Sequence, residues 1–158
     1  DDRLDNQDIV LIDCGAYWNH YAADMTRVLF LKPPKGKLKK AFLAVQSAYE
    51  AAAHAAKPGV TCSYLDSCAR EVLKEAKLEA FFTHSLGHGI GLNVHEAPRL
   101  SKTAHRATLV EGDVFTIEPG VYLPGIGGIR LENTLVVGKK GVRSLMDMPF
   151  YNELSQGD

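Results

Sequence analysis

Long hydrophobic runs are what this 158-residue sequence most clearly lacks. Nothing in it approaches the ~20 consecutive apolar residues of a membrane-spanning helix, so no membrane partner is expected. Charge of one sign is also missing. The 18 basic and 19 acidic side chains leave a formal net charge of −1, which gives no electrostatic case for nucleic acid or an anionic surface. Cysteine is scarce: Cys14, Cys62 and Cys68 are odd in number and show no Cys-x-x-Cys spacing. That usage fits reduced thiols rather than a disulfide scaffold. The opening Asp1-Asp2-Arg3 is not the basic-then-apolar stretch of a secretory leader. Together these make a cytoplasmic setting the expectation. Low-complexity segments and linkers are missing too, and the length suits one domain with its own core.

What is there alternates between strand and helix signals. Ile9 to Ile12 is a short β-branched run ending at Asp13, and Cys14-Gly15 reads as a turn. Tyr21 to Leu31 reads as a second strand closed by Pro33-Pro34, so Gly15 to Asn19 is expected to join a hairpin. Lys35 to Lys57 is the clearest helix, with Leu38, Ala41, Phe42, Val45, Ala48, Tyr49 and Ala52 at three- and four-residue steps. Its lysines at 35, 37, 39 and 40 sit at the end unfavourable for positive charge and read as a solvated face. Pro58-Gly59 stops it. Ser63 with Asp66 reads as a capping box opening a second helix to about Ala76, with Leu65, Cys68, Ala69, Val72 and Leu73 inward.

The stretch Thr83 to Pro98 holds three of the six histidines, His84, His88 and His95. Glycines at 87 and 89 flank His88 and permit close approach to its backbone, since no Cβ stands in the way. His88, Ile90, Leu92 and Val94 alternate as a strand does. His84 and His88 therefore share a face, and His95 points away from it unless a bend intervenes. His20, His54 and His105 have no partner motif and read as surface residues.

The chain then repeats itself. Leu109 to Tyr122 lies over Leu4 to Tyr17 at a constant offset of 105 residues, with Glu118 on Asp13 and Gly120 on Gly15. After three extra residues, Glu132-Asn-Thr134 lies over Asp24-Met-Thr26. A duplicated hairpin with one acid on each arm explains more than two similar amphipathic ribbons would. It puts four carboxylates, Asp13, Asp24, Glu118 and Glu132, inside apolar strands, where each is desolvated and all repel. Arg27 and Arg130 cannot neutralise four acids. Two divalent cations can, with His88 as a nitrogen ligand, and such a pair ~3.5–4 Å apart activates water and polarises a carbonyl. An oxygen-rich set favours harder ions, Mn²⁺ first, with Co²⁺, Fe²⁺ or Zn²⁺ also accepted. The second hairpin is preceded by two helices and a histidine strand and the first by almost nothing, so the chain is expected to be part of a longer protein, with the beginning of the first half absent.

These motifs carry a resemblance. Asp13-x-Gly15 with Asp24 eleven residues after the first acid, then Gly-His-Gly-Ile-Gly-Leu-x-Val-His-Glu-x-Pro, Thr-Ile-Glu-Pro-Gly and Gly-Ile-Arg-Leu-Glu-Asn-Thr, resemble the pita-bread metallopeptidases. Methionine aminopeptidases, Xaa-Pro aminopeptidases and Xaa-Pro dipeptidases (prolidases) share that pattern. The resemblance covers nearly the whole chain. It implies an α+β fold, a pseudo-twofold sheet with helices on its outer face, and one catalytic domain over residues 1–158. It implies Asp13, Asp24, His88, Glu118 and Glu132 as metal ligands, with Asp24 and Glu132 shared by both ions. Glu118, His95 and His84 are implied as catalytic, the two histidines and Arg130 also as contacts to substrate or supports of the site. Leu92, and Arg130-Leu-Glu-Asn133 in place of a Gln-Phe/Tyr-Glu-His run, resemble the proline-specific branch.

The expected function is therefore hydrolysis of the bond before proline in dipeptides or at peptide N-termini, by a protein that is a homodimer when full-length. Methionine aminopeptidase, a non-catalytic binding module on the same fold and metal-free creatinase-like chemistry are the alternatives. Retention of all five ligand positions weighs against the last two.

Overall fold

The computed structural model describes residues 9–153. The stretch Leu4 to Asp8 of the internal repeat lies outside them. The first ribbon is a long antiparallel hairpin of β1 (Ile9–Trp18) and β2 (Tyr21–Phe30). Its turn is not at Cys14-Gly15, as the sequence pattern predicts. β1 runs straight through that dipeptide, and the chain reverses at Asn19-His20, with φ of 47° and 73°. Positive φ at both central residues suits the right-handed twist of the flanking strands, and Asn tolerates it better than most. Gly15 serves a different purpose: a Cβ there would collide with the Ala23 carbonyl across the hairpin.

Two helices follow. α1 (Gly36–Ala55) buries Ala41, Phe42, Ala44, Val45, Ala48, Tyr49 and Ala52, nearly the expected stripe, and leaves Leu38 at its margin. Lys35 caps it with no side-chain bond and the nearby lysines are exposed, so packing rather than end chemistry holds this helix. α2 (Cys62–Glu75) packs against α1 and buries Cys62, Leu65, Ala69 and Leu73, while Cys68 and Val72 are only half-buried. Its cap is Thr61, whose Oγ1 accepts the Tyr64 N–H at 3.3 Å, and not Ser63. Asp66 is not a capping residue either. It is buried and turned toward Arg70, because a partner one turn away satisfies a desolvated carboxylate better than the helix end does.

After a 3-10 turn at Glu79–Phe81, β3 (Gly87–Gly89) and β4 (Glu96–Leu100) lead to the second ribbon: β5 (Val114–Ile117), β6 (Gly120–Leu123), β7 (Gly127–Arg130) and β8 (Asn133–Val137). β9 (Val142–Ser144) extends a five-stranded sheet of order β4-β3-β5-β8-β9, and β10 (Tyr151–Glu153) joins β2 in parallel. The core between helices and sheets includes Phe30, Phe42, Leu65, Leu73, Phe115, Ile117, Ile129, Leu131 and Leu135.

The two ribbons are alike but not superimposable in register. In the first, Asp13 lies opposite Thr26 and Asp24 opposite Gly15. In the second, Ile117 pairs with Asn133 and Gly120 with Arg130, which sets Glu118 across from Glu132. Strand pairing is interrupted at those two acids. The Glu118 amide donates to the Leu86 carbonyl at 2.8 Å and the Glu132 amide to the Thr26 carbonyl at 3.3 Å, so each acid ties its ribbon to a neighbouring segment.

Candidate metal centre

The glycines around His88 have a steric purpose. A Cβ at Gly87 would collide with the Thr116 carbonyl, and one at Gly89 with the Ala97 carbonyl. β3 is thereby wedged between β4 and β5, and the His88 amide donates to Thr116 Oγ1 at 3.1 Å. The expected alternation stops at Gly89. The chain bends through residues 91–95, and the Ala22 amide pins that bend by donating to the Gly91 carbonyl at 2.8 Å. The bend returns His95 to the cleft, its ring 4.1 Å from that of His88.

All five expected ligands, with His95 and Arg130, line one cavity of about 460 Å³. Asp24, His88 and Glu132 each offer a donor atom with all of these within 4.8 Å of one another. His88 Nε2 stands 3.3 Å from Glu118 Oε1 and 3.7 Å from Asp24 Oδ2. Asp13 is the exception: its side chain is 53% exposed and paired with Arg130 Nη2. His84 lies one step away, in an adjoining pocket that also contains His88, His95, Glu118 and Arg130. His20, His54 and His105 are exposed and apart from the cluster, as expected.

The donor chemistry tests whether a cation fits. His88 Nδ1 is 3.1 Å from the Gly89 carbonyl oxygen, so that nitrogen carries the proton of the neutral ring. Nε2 therefore turns a lone pair toward two carboxylates. Acceptor facing acceptor is repulsive unless a proton or a metal ion lies between. Burial lowers the His88 pKa, so the imidazolium is disfavoured. The acids must then accept the protons. Burial pushes Glu118 up to about 7, with the Arg130 charge opposing it. Burial also pushes Glu132 up to about 8, reinforced by the neighbouring Glu118 charge. Asp24 is raised by burial and then by Asp13. Divalent ions satisfy this carboxylate-rich, single-imidazole set better than shared protons do.

Arg27 does not answer the charge either. It donates to the carbonyls of Thr26 (2.9 Å) and Glu132 (2.5 Å) and to Asn133 Oδ1 (2.7 Å), stapling backbone rather than meeting a carboxylate.

Sequence reasoning missed an inner layer of hydroxyls. Thr26 Oγ1 donates to Glu132 Oε2 at 2.6 Å and accepts from Arg130 Nε at 3.0 Å. Thr116 Oγ1 donates to Glu118 Oε1 at 3.2 Å, and Thr134 Oγ1 to the Asp24 carbonyl at 2.8 Å. A signal was present: each threonine stands two residues from an acid, in Asp24-Met-Thr26, Thr116-Ile-Glu118 and Glu132-Asn-Thr134, hence on the same strand face. Tyr122 was also missed. Its hydroxyl accepts from Arg130 Nη1 at 3.0 Å and sits 3.0 Å from His84 Nε2. His84 Nδ1 donates to the Ser85 carbonyl at 2.8 Å, which leaves Nε2 to accept from Tyr122.

Comparison with known proteins gives this geometry a context. The model of metallopeptidase family M24 matches residues 1–139. The Xaa-Pro dipeptidase of Pyrococcus furiosus is 45% identical over 145 residues, covering 92% of this chain and 41% of that protein. The solved prolidase of Pyrococcus furiosus superposes with a TM-score of 0.91 at 44% identity, over 94% of this chain and 44% of its own. An X-Pro aminopeptidase structure from Thermotoga maritima gives 0.92 at 42% identity, over 96% and 43%. The chain thus spans about two fifths of the length of the relatives it matches, and the α+β pita-bread architecture expected of it is the one these structures have.

Proposed function

Because the chain belongs to metallopeptidase family M24, we propose that it is part of the catalytic domain of a metal-dependent peptidase that hydrolyses the bond before proline, in dipeptides or at peptide N-termini. The observation that carries this reading is the His88 lone pair, aimed at Asp24 and Glu118 in a cavity that also contains Glu132, Asp13 and His95. The names of the relatives, Xaa-Pro dipeptidase and X-Pro aminopeptidase, support the substrate class.

Asp24, His88, Glu118 and Glu132 would hold two divalent ions, with Asp13 completing the set by exchanging Arg130 for a metal. When bound, the ions supply Lewis-acid polarisation of the scissile carbonyl and an activated water. The oxygen-rich set makes Mn²⁺ the first candidate. The remaining work falls to side chains. Glu118 is the proton carrier: its carboxylate, held by Thr116 Oγ1 and 3.3 Å from His88 Nε2, takes a proton from water and delivers it to the leaving nitrogen. His95, exposed at the mouth of the cleft beside His88, contacts the substrate near the scissile bond. Arg130 holds Thr26, Tyr122 and Asp13 together, and Tyr122 in turn holds His84 as a neutral acceptor. A cytoplasmic homodimer remains part of the proposal for the complete protein.

The test uses the complete protein, stripped of metal and reloaded with Mn²⁺, Co²⁺, Fe²⁺ or Zn²⁺, against Xaa-Pro dipeptides, longer Xaa-Pro peptides and Met-Ala peptides. Turnover of the proline substrates, abolished in Glu118→Ala and in His88→Ala, is the expected result. Unchanged activity in either variant would refute the residue assignment, and turnover of Met-Ala peptides alone would move the reading to methionine aminopeptidase.

A further inference from the structure

A buried ion pair on α2 lies outside the cleft and takes no part in the chemistry above. Asp66 is fully buried and Arg70 is 9% exposed. Arg70 Nε donates to Asp66 Oδ2 at 2.6 Å. The terminal nitrogens of Arg70 donate to the carbonyls of Phe82 at 3.0 Å and His84 at 2.7 Å. Asp66 Oδ1 accepts the Leu86 amide at 3.1 Å. The pair thus grips residues 82, 84 and 86, alternate positions of one segment with His84 at its centre.

The ring of His84 is confined from both sides. The Arg70 guanidinium lies 4.2 Å over the Phe82 ring, and that ring meets the His84 imidazole edge-on at 4.9 Å. Opposite, the imidazole rests on Gly120, where a Cβ would stand 2.9 Å from Nε2. A buried ion pair is an inefficient source of stability, because desolvation offsets most of the attraction. What this one provides is aim: three backbone groups spaced two residues apart are fixed by two side chains that are themselves fixed to each other. An apolar pair could pack α2 equally well and would leave those groups unsatisfied.

We propose that Asp66 and Arg70 are positioning residues for the reaction: they orient His84 and, through its Nε2, the Tyr122 hydroxyl that Arg130 also holds. This inference rests on the peptidase reading. The test compares wild type, Arg70→Lys, Asp66→Asn, His84→Asn and the double variant Arg70→Lys/His84→Asn in the complete, Mn²⁺-loaded protein on an Xaa-Pro peptide. Arg70→Lys keeps the charge and loses the fork; Asp66→Asn keeps the size and loses the acceptor for Arg70. Each is expected to lower kcat at least tenfold with KM and Mn²⁺ affinity within twofold of wild type. In the His84→Asn background, Arg70→Lys should add less than twofold, because the ring it aims is gone. Wild-type kcat in both variants, or the same loss from Arg70→Lys in both backgrounds, would overturn the proposal. So would loss of the fold in both, seen by circular dichroism, since the proposal requires a folded enzyme with a misdirected ring. A wild-type protein that turns over no Xaa-Pro peptide would fail the reading itself, and the inference with it.

Discussion

Replacing Thr26 by valine removes one oxygen and almost no volume. Thr26 is fully buried, so no cavity opens, but a methyl in place of Oγ1 cannot stay 2.6 Å from Glu132 Oε2 and the carboxylate must draw back. The larger loss is electrostatic. Glu132 Oε2 gives up a 2.6 Å hydrogen bond and Arg130 Nε gives up its 3.0 Å acceptor. A hydrogen bond to a charged group contributes about 1.5–3 kcal/mol. Glu132 can hold a metal only as the carboxylate, and the Thr26 bond opposes the burial and the Glu118 charge that push its pKa upward. Without that bond the proton competes harder, and part of the 1.5–3 kcal/mol passes into metal affinity, roughly 10–100-fold as for other groups that orient a ligand. Calorimetric titration of metal-stripped protein with Mn²⁺ reads this directly. Thr26→Ser, which restores the oxygen, should bind within a few-fold of wild type. Thr26→Val with unchanged Mn²⁺ affinity would refute the idea that this hydroxyl keeps Glu132 charged.

Stability of the metal-free protein should depend on pH in a defined window. Glu118 and Glu132 have folded pKa values raised from 4.5 to about 7 and about 8, so their contribution is complete below 4.5 and is lost as pH rises through those values. The lowered pKa values of His84 and His88 act in the opposite direction, but only up to their unfolded value of 6.5. Between pH 6.5 and 8 the carboxylates act alone. The Tm of chelator-treated protein should fall across that interval and be restored by Mn²⁺; a flat or rising Tm would contradict the assignment. Metal affinity should climb over the same range as protons are displaced. Gly89→Ala sets a Cβ against the Ala97 carbonyl, and overpacking of this kind costs about 1–3 kcal/mol. A Tm lowered by several degrees together with weakened Mn²⁺ binding is expected, since His88 is adjacent.

The helices were legible in the sequence because their periodicity is long and Pro58-Gly59 ends the first abruptly. The four carboxylates of the cleft were legible because acids interrupting apolar strands are costly and recurred at matching places of the two ribbons. Local chemistry that depends on a partner was not. Cys14-Gly15 reads as a turn from its residue types, yet Gly15 is small to admit the carbonyl across the hairpin, a fact about β2. Asn19-His20 lacks the glycine that marks a two-residue turn. Asp66 reads as a cap until Arg70 and Leu86 are seen to claim it. His95 could not be placed because the bend that returns it is held by Ala22, about seventy residues earlier in the chain. The strand Tyr151–Glu153 is too short to carry a periodic signal.

The hydrogen bond between Thr26 and Glu132 joins positions 106 residues apart. Asp13 and Asp24 meet as soon as one hairpin zips up, but His88, Glu118 and Glu132 reach them only after the long intervening stretch, with its two helices, has folded back onto that hairpin. Loop-closure entropy therefore places assembly of the full coordination set at the end of folding. Divalent ions should slow unfolding while leaving the refolding rate unchanged, arriving as a lock on finished architecture instead of a template for it.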